Sequence, residues 1–362
     1  FWLKDLSRRI LDYSCAAAPS CSSPLMRPYL LHLHERPLTL VKCNHDGDFF
    51  LSCAKDGDCA LVRTDTCERV GTYAPPGEKP GAIYAVDVTL DSAFVVTAGA
   101  DGKLVFYTFE GEMVSQLNHG GILKFVEWNQ KPCEQNMVVT CNDKFKSSSD
   151  GAIPNRIMVW QFQPLKRLLC IDDLLPLKAT KVKWGPFDET LISIFEEGQL
   201  IIWDSRNGKL LRTVQAHQTA ITSLNFSDDR MLMITSSKDQ IAKLWATDEY
   251  ECVKTYKTDR CLNDASICPQ YNDKKCPKRH VLLVGGQDAK DVTTTAASSG
   301  KFEALLWHMV YEEEIGSVRG HFGPVNTVAW FPDGTGFITG GEDGYVRVHH
   351  FDNDYFTSKV FE

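Results

Sequence analysis

A single pattern of residues recurs along this chain with fixed internal spacing. In its clearest copy His217 is followed 22 positions later by Asp239, and the hydroxyl residue Thr235 lies four positions before that aspartate. An aromatic anchor, Trp245, follows the aspartate by six positions. The same offsets from histidine to aspartate occur in two further copies, which are His34, Ser52 and Asp56, and His321, Thr339 and Asp343. Three copies with identical offsets indicate a chain that folds as a series of similar units.

Weaker copies of the pattern bring the number of units to seven. Their last anchors are Val62, Tyr107, Trp160, Trp203, Trp245, Trp307 and His349. Neighbouring anchors are 42 to 62 residues apart, whereas WD repeats recur about every 40–45 residues, so the two longest intervals are expected to contain insertions. Each unit has short alternating apolar runs, typical of strands, separated by Asp-Gly or Asn-Gly turns. The sequence therefore predicts an all-β fold, a seven-bladed WD-repeat β-propeller with four strands in each blade.

The two ends of the repeat region predict how the ring closes. Residues 29–33 precede the first histidine as an outermost strand would, and the last unit reaches only its third strand near residues 346–350. We therefore expect the N-terminal outer strand to complete the last blade and leave no free edge. Residues 26–362 form the propeller in this interpretation. Residues 1–25 are expected to be an upstream or disordered extension before a functional start at Met26, or else a true extension whose apolar face meets a partner.

The four repeat residues of the fifth unit resemble the hydrogen-bonded structural tetrad of WD repeats. They are His217, Thr235, Asp239 and Trp245. A histidine, a hydroxyl and a carboxylate could also suggest hydrolase chemistry, but the set recurs in three blades whereas an active site is normally unique. The first and seventh blades have Val62 and His349 in place of the tryptophan, so their tetrads must be incomplete.

Composition and motifs argue against an enzyme and against a protein that grips nucleic acid. Asp and Glu number 47 against 39 Lys and Arg, a net charge of −8, which disfavours a mainly electrostatic hold on phosphates. The sequence contains no P-loop, no H-E-x-x-H, no G-x-S-x-G and no G-x-G-x-x-G motif. We therefore expect no catalytic residues, no cofactor and no direct nucleic-acid binding, and favour a scaffold that binds other proteins.

The cysteines and histidines do not form a convincing metal site either. Two candidate groups are His32, His34 and Glu35, and Cys261, Cys268, Cys276 and His280. His34 already belongs to the repeat, and the cysteine spacings match no common zinc pattern. The thirteen cysteines are interpreted as reduced thiols of a cytoplasmic protein. No run of 18 apolar residues is present, so no membrane-spanning helix is expected.

Three insertions interrupt the repeats. Residues 268–280, in the sixth unit, concentrate positive charge in an acidic protein at Lys274, Lys275, Lys278 and Arg279. This basic insertion is interpreted as a solvated loop, with contact to RNA or to an acidic partner as the alternative. A second insertion, GGQDAKDVTTT at residues 285–295, follows in the same unit, and residues 146–155 form a polar loop in the third.

The second insertion carries a family resemblance. The motifs GGQDAKDVTTT, GKFEA, EEEIG, GHFGP and GGEDGYVR, in this order, together with the start MRPYLLHLHERPLT at Met26, resemble the i subunit of eukaryotic translation initiation factor 3. The resemblance covers about residues 26–356. The serine/threonine kinase receptor-associated protein, a WD-repeat signalling adaptor, shares a GHFGP-like segment but lacks the DVTTT block, so it is the alternative.

The resemblance implies a function. Members of the family are non-catalytic scaffold subunits that bind the C-terminal helix of the b subunit, join the g subunit and help to assemble the 40S preinitiation complex for mRNA recruitment and scanning. It also implies a docking site on the fifth blade, with an acidic residue at the position of Asp229 and a leucine at that of Leu244. The family has an aspartate where this chain has Ala246, so one contact is expected to be missing. The plainer interpretation is a solvated turn acid and a core leucine.

Overall fold

A computed structural model describes residues 26–74, 81–130, 136–143, 154–172, 174, 177–274, 277–286 and 301–357. Within these ranges the chain forms seven antiparallel sheets of four strands each. Each sheet is one blade, and the order of strands in blades 1 to 6 follows the order of the chain. The predicted seven-bladed propeller is therefore confirmed.

The strands are numbered in chain order. The chain enters through β1 (Met26–His32), which joins the last blade. Blade 1 contains β2 (Leu38–Cys43), β3 (Phe49–Ala54), β4 (Cys59–Arg63) and β5 (Arg69–Tyr73), and blade 2 contains β6 (Ile83–Val88), β7 (Phe94–Gly99), β8 (Lys103–Thr108) and β9 (Met113–Asn118). Blade 3 contains β10 (Ile122–Trp128), β11 (Met137–Asp143), β12 (Arg156–Gln161) and β13 (Lys166–Ile171), and blade 4 contains β14 (Ala179–Trp184), β15 (Thr190–Phe195), β16 (Gln199–Asp204) and β17 (Leu210–Gln215).

The remaining blades follow the same plan. Blade 5 contains β18 (Ile221–Phe226), β19 (Leu232–Ser237), β20 (Ile241–Ala246) and β21 (Glu251–Lys257). Blade 6 contains β22 (Leu262–Ile267), β23 (His280–Gly285), β24 (Ala304–His308) and β25 (Glu314–Val318). Blade 7 contains β26 (Val325–Trp330), β27 (Gly336–Gly341) and β28 (Tyr345–Phe351), and the short helix α1 (Asn353–Thr357) follows it. Single 3-10 turns occur at Pro186–Asp188 and Pro269–Asn272. Within the described ranges, no helix has the length and apolar character needed to cross a bilayer.

The closing strand lies where the sequence predicts it, in the last blade. β1 pairs antiparallel with β28, and Tyr29 lies opposite Val348. The strand runs Met26–His32 rather than over residues 29–33. β28 is therefore paired on both sides, and blade 7 has four strands like the other blades. Residues 1–25 and 358–362 lie outside the described residues, and the expectations for them remain predictions.

The core of the protein lies between blades rather than within any one of them. The second strands are almost fully buried, and every residue of β27 is buried. The outermost strands meet water instead, so β17 is mostly exposed. One apolar cluster joins blades 5 and 6 and contains Ile234, Leu244, Tyr256, Leu262 and Leu283. Each blade therefore buries its faces only by packing against its neighbours, which explains why the repeats must occur as a ring.

A second set of contacts links the blades around the central axis, through polar groups on the first strands. Asp87 on β6 pairs with Lys42 of blade 1 and accepts a hydrogen bond from the backbone N–H of Trp128 in blade 3, at 2.7 Å. Glu127, the neighbour of Trp128, accepts from the backbone N–H of Trp184 in blade 4, also at 2.7 Å. Two carboxylates thus connect four consecutive blades.

The links continue through the other half of the ring. Lys183 of blade 4 donates to Asn225 of blade 5 at 2.9 Å, and the Asn225 amide donates to Asp264 of blade 6, also at 2.9 Å. Asp264 accepts from Thr327 of blade 7 at 3.2 Å. The backbone N–H of Val41 in blade 1 donates to the Thr327 hydroxyl at 3.2 Å. These contacts close a hydrogen-bonded circuit through all seven blades, which we call the inner circuit.

Candidate partner-binding site

The four repeat residues of blade 5 form one hydrogen-bonded chain. The His217 ring bonds the Thr235 hydroxyl through Nε2 at 2.8 Å and Asp239 through Nδ1 at 3.0 Å. The Trp245 indole N–H donates to the same Thr235 oxygen at 2.9 Å. His217, Thr235 and Trp245 are buried. Burial lowers the pKa of His217, against the opposing effect of Asp239, so the ring is held neutral.

The other copies of the pattern have the same geometry without the tryptophan. In blade 1 His34 bonds Ser52 at 2.9 Å and Asp56 at 3.0 Å. In blade 7 His321 bonds Thr339 at 2.9 Å and Asp343 at 3.1 Å. The analogous positions hold Val62, which has no polar atom, and His349, which is buried.

In blade 3 the sequence pattern gives the anchor Trp160 but not its histidine and hydroxyl partners, which the structure shows to be His119 and Thr140. The Thr140 hydroxyl bonds His119 at 3.1 Å and accepts from the Trp160 indole at 3.2 Å. Burial lowers the pKa of His119 to about 4. His119 precedes Thr140 by 21 positions, whereas His217 precedes Thr235 by 18. A search that allowed a variable spacing from histidine to hydroxyl would have found both residues.

Asp229 lies on the face formed by the turns between the first and second strands of the blades, which we call the hairpin face. Its carboxylate accepts hydrogen bonds from the Ser227 hydroxyl at 2.7 Å and from the backbone N–H of Met231 at 3.0 Å. Tyr271 of blade 6 donates its hydroxyl to the other oxygen at 2.5 Å. Although partial burial opposes ionisation, these donors and Asn272 hold the pKa of Asp229 below its usual value. Asp229 is thus an exposed, fixed negative charge at the junction of blades 5 and 6.

Leu244 lies in the same blade but not on the same surface. It is 2% exposed and belongs to the apolar cluster between blades 5 and 6. In β20 it lies opposite Ile234, so its side chain packs in the interior with that residue. The structure therefore does not bring Leu244 to the surface beside Asp229, and its position corresponds to the core-leucine interpretation. Ala246, two residues further along the strand, is partly exposed.

The basic insertion is not a uniformly solvated loop. Lys274 and Arg279 are exposed, but Lys278 is buried. The Lys278 ammonium lies 5.3 Å from the ring centre of Tyr355 in α1. The insertion therefore packs inward against the C-terminal helix and presents less positive charge than its sequence implies. Lys275 and Cys276 lie outside the described residues, as do residues 287–295 of the second insertion and 146–153 of the third.

Exposed apolar side chains also lie in turns of blades 4, 5 and 6 at the same end of the ring as Asp229. Met231 of blade 5 is 65% exposed, Phe187 of blade 4 is 75% exposed and Tyr311 of blade 6 is 70% exposed. Exposed carboxylates accompany them at Asp228, Asp248, Glu249, Asp273 and Glu312. Sequence reasoning did not identify these apolar residues, because isolated apolar positions in turns carry no periodic signal. The combination has the character of a protein-binding surface for a segment that is apolar and basic.

These features define a class of protein. One complete repeat tetrad in blade 5, with partial copies in blades 1, 3 and 7 of a closed seven-bladed ring, defines the chain as a WD-repeat propeller.

The comparisons with known proteins narrow the class to one family. The family model EIF3I matches residues 26–361. The chain is 38% identical over 338 residues to the protein named eukaryotic translation initiation factor 3 subunit I from Schizosaccharomyces pombe, covering 92% of this chain and 99% of that protein. The protein of the same name from Neosartorya fischeri is 40% identical over 345 residues, and that from Rattus norvegicus is 36% identical over 338. These alignments cover 91% of this chain and 96% and 98% of the two proteins.

The chain therefore belongs to the family of i subunits of eukaryotic translation initiation factor 3. The resemblance stated from the sequence motifs is confirmed. Membership of this family gives the protein a role in the initiation of translation.

Proposed function

We propose that this protein is a non-catalytic scaffold subunit of translation initiation factor 3. In this proposal it binds the C-terminal helix of the b subunit, associates with the g subunit, and helps to assemble the 40S preinitiation complex in the cytoplasm for mRNA recruitment and scanning. The observation that carries the proposal is the exposed carboxylate of Asp229, fixed by three donors beside the exposed side chain of Met231 on the hairpin face.

The fixed geometry of Asp229 suits it to receive a cation from a partner. Three donors hold its carboxylate in place, so little conformational freedom is lost when a partner binds. The neighbouring exposed apolar residue, Met231, supplies surface that a helix can bury. A partner helix with apolar residues on one face and a basic residue beside them would complement both.

Leu244 contributes to this site indirectly in our proposal. It packs β20 against blade 6, and the junction of blades 5 and 6 is where Tyr271 reaches Asp229. A smaller residue at Leu244 would loosen that junction and thereby affect the docking surface without losing a direct contact.

The non-catalytic part of the proposal has support from the repeat residues. His217, Thr235 and Asp239 have the chemistry of a hydrolytic triad, but His217 and Thr235 are 3% and 0% exposed. A substrate cannot reach a nucleophile in that position. The net charge of −8 favours indirect contact with RNA through partner subunits.

The experiment that tests the docking site is a charge reversal at Asp229. We expect Asp229→Lys to weaken binding of the C-terminal peptide of the b subunit by at least about 1 kcal/mol, because it replaces an attraction with a repulsion. Isothermal titration calorimetry measures the affinity, and circular dichroism checks that the ring remains folded.

Asp91 provides a matched control in blade 2. Its carboxylate accepts from the Thr89 hydroxyl at 2.6 Å and from the backbone N–H of Ala93 at 3.1 Å, the same turn geometry as Asp229. Asp91→Lys should therefore leave the affinity for the peptide unchanged. Wild-type affinity in Asp229→Lys, or equal losses in both variants, would show that the site is not at Asp229.

A further inference from the structure

The central channel of the propeller has chemistry that the docking role does not use. The channel contains a cavity of about 280 Å³ lined by the first strands of the blades and by turns of the hairpin face. We propose that this cavity binds a small multivalent anion of the phosphate class, held by Lys181 and Lys183 of blade 4.

The negative charges of the channel are in its wall rather than in its lumen. The side chains of Asp87 and Glu127 are only 1% and 2% exposed. Each accepts a backbone N–H from the next blade, and Asp264 accepts from Val328 in the same way. These carboxylates are therefore occupied by donors and largely withdrawn from solvent. Asp228 is an exposed acid that lines the mouth.

The charged groups that retain exposure inside the cavity are mainly cations. Lys181 and Lys183 project from alternate positions of β14, and their ammonium groups each lie 5.7 Å from the ring centre of Phe125. Lys181 donates to the Ser223 hydroxyl at 3.1 Å, and it forms no ion pair among the residues that the structure describes. Its positive charge is consequently available to a ligand.

The carboxylates near these lysines are already engaged by other groups, and Asp264 meets Lys181 through the Ser223 hydroxyl, which donates to Asp264 and accepts from Lys181. Glu127 is shared between Lys183, at 3.9 Å, and Arg230 of blade 5, at 3.6 Å. The single negative charge of Glu127 therefore faces the positive charges of Lys183 and Arg230, and Lys181 lies on the same strand as Lys183. Burial lowers the pKa of Lys183 to about 8, and although Glu127 opposes this shift, repulsion from Lys42, Lys181 and Arg230 adds to it. A ligand anion among these groups would relieve the repulsion.

The geometry favours a small phosphate compound as the ligand over a compound that has a single carboxylate group. Several ammonium donors converge on one cavity, and a phosphate group offers several acceptor oxygens and more than one negative charge. The size of the cavity fits a compound such as pyrophosphate.

The test is calorimetric titration of the full chain with inorganic pyrophosphate at low ionic strength. We expect measurable binding that weakens as salt is added, because the attraction is electrostatic. Lys181→Met, which keeps the length of the side chain and removes its charge, should weaken binding roughly tenfold or more. Lys103→Met is the matched control, because Lys103 has a partly exposed side chain in β8 paired with Asp101 and does not line the cavity.

A second measurement needs no variant. At pH 8 the Lys183 amine is close to half protonated, so an anion beside it should draw in a proton when it binds. The heat of binding should therefore differ between Tris and HEPES buffers in proportion to their ionisation enthalpies. Absence of binding at millimolar pyrophosphate, or equal weakening in Lys181→Met and Lys103→Met, would overturn the proposal. Each result is independent of binding to the b subunit.

Discussion

Asp264 accepts four hydrogen bonds from the neighbouring blades in the inner circuit. Its substitution is therefore the most direct test of how much the circuit stabilises the ring. One carboxylate oxygen accepts hydrogen bonds from the Ser223 hydroxyl and from the Asn225 amide, and the other accepts from Thr327 and the backbone N–H of Val328. In the inner circuit, the Asp264 side chain thus joins blade 5 to blade 7 across blade 6.

The change Asp264→Asn preserves shape and removes one acceptor atom. The asparagine oxygen can keep the two donors of blade 7, but its N–H groups then face the Asn225 amide, which is also a donor. The Ser223 hydroxyl already accepts from Lys181, so it cannot turn freely to compensate. Each unsatisfied buried donor costs about 1–3 kcal/mol, and relief from burying a charge offsets part of the loss. We expect a net decrease of about 2 kcal/mol in the free energy of unfolding.

Differential scanning calorimetry is the appropriate measurement. A loss of about 2 kcal/mol corresponds to a decrease of about 3 °C in Tm for a protein of this size. Asp228→Asn, an exposed neighbour of the same cavity, serves as the control and should change Tm little. A Tm for Asp264→Asn equal to that of the control would refute the idea that the carboxylate joins the blades. Coupling with Ser223→Ala of at least about 0.5 kcal/mol would identify the contact responsible.

Two further predictions concern the repeat residues. Thr235→Ala removes the oxygen shared by His217 and Trp245, so urea unfolding should show a loss of roughly 1–3 kcal/mol, and an unchanged midpoint would mean that the tetrad carries no stability. Burial lowers the pKa of His119 from 6.5 to about 4 and that of His349 from 6.5 to about 3. The unfolded chain therefore binds more protons below pH 6.5, so stability should be constant above that pH and decrease as the pH falls towards 4 and 3. Tm measured from pH 7 to 4 should fall less steeply in His119→Gln than in the wild type, and parallel slopes would count against this assignment.

The fold could be predicted because the residues that specify it repeat at fixed offsets along the sequence. His34, His217 and His321 occur with the same companions at the same offsets, and such repetition determines both the number of blades and their strand order. The closing strand could be predicted for a related reason, since the last unit lacks a fourth strand and the first unit is preceded by a spare one.

The polar interior could not be predicted to the same degree. Asp87 and Glu127 each stand within an apolar strand, a position that indicates a buried charge but does not identify its partner. Those partners are backbone N–H groups of the next blade, which every residue possesses and no sequence pattern marks. The burial of Lys278 depends on Tyr355, a residue of the C-terminal helix, and a charged run in a sequence says nothing of such a distant contact.

The candidate site could be predicted from the sequence only in part. Asp229 could be placed on the hairpin face because its turn follows from the repeat, whereas its bond to Tyr271 depends on how an insertion in the next blade folds. For Leu244, the family resemblance implies a docking role from its position in the sequence alone, and position alone does not establish such a role. Its place in β20 is predictable, but its 2% exposure is set by the packing of blade 6 against blade 5.

The pairing of β1 with β28 has a consequence for how the protein folds during its synthesis on the ribosome. β1 is synthesised before the other described strands, yet its partner strand, Tyr345–Phe351, is the last of the described strands to be synthesised. Until β28 has been synthesised, the growing chain is an open arc, and β1 lacks its partner strand and can pair with other chains instead. Bringing the two ends together costs chain entropy that no local contact repays. A subunit of the translation machinery therefore depends on uninterrupted translation for its own closure, and a chain released early should be a target for chaperones rather than a smaller working ring.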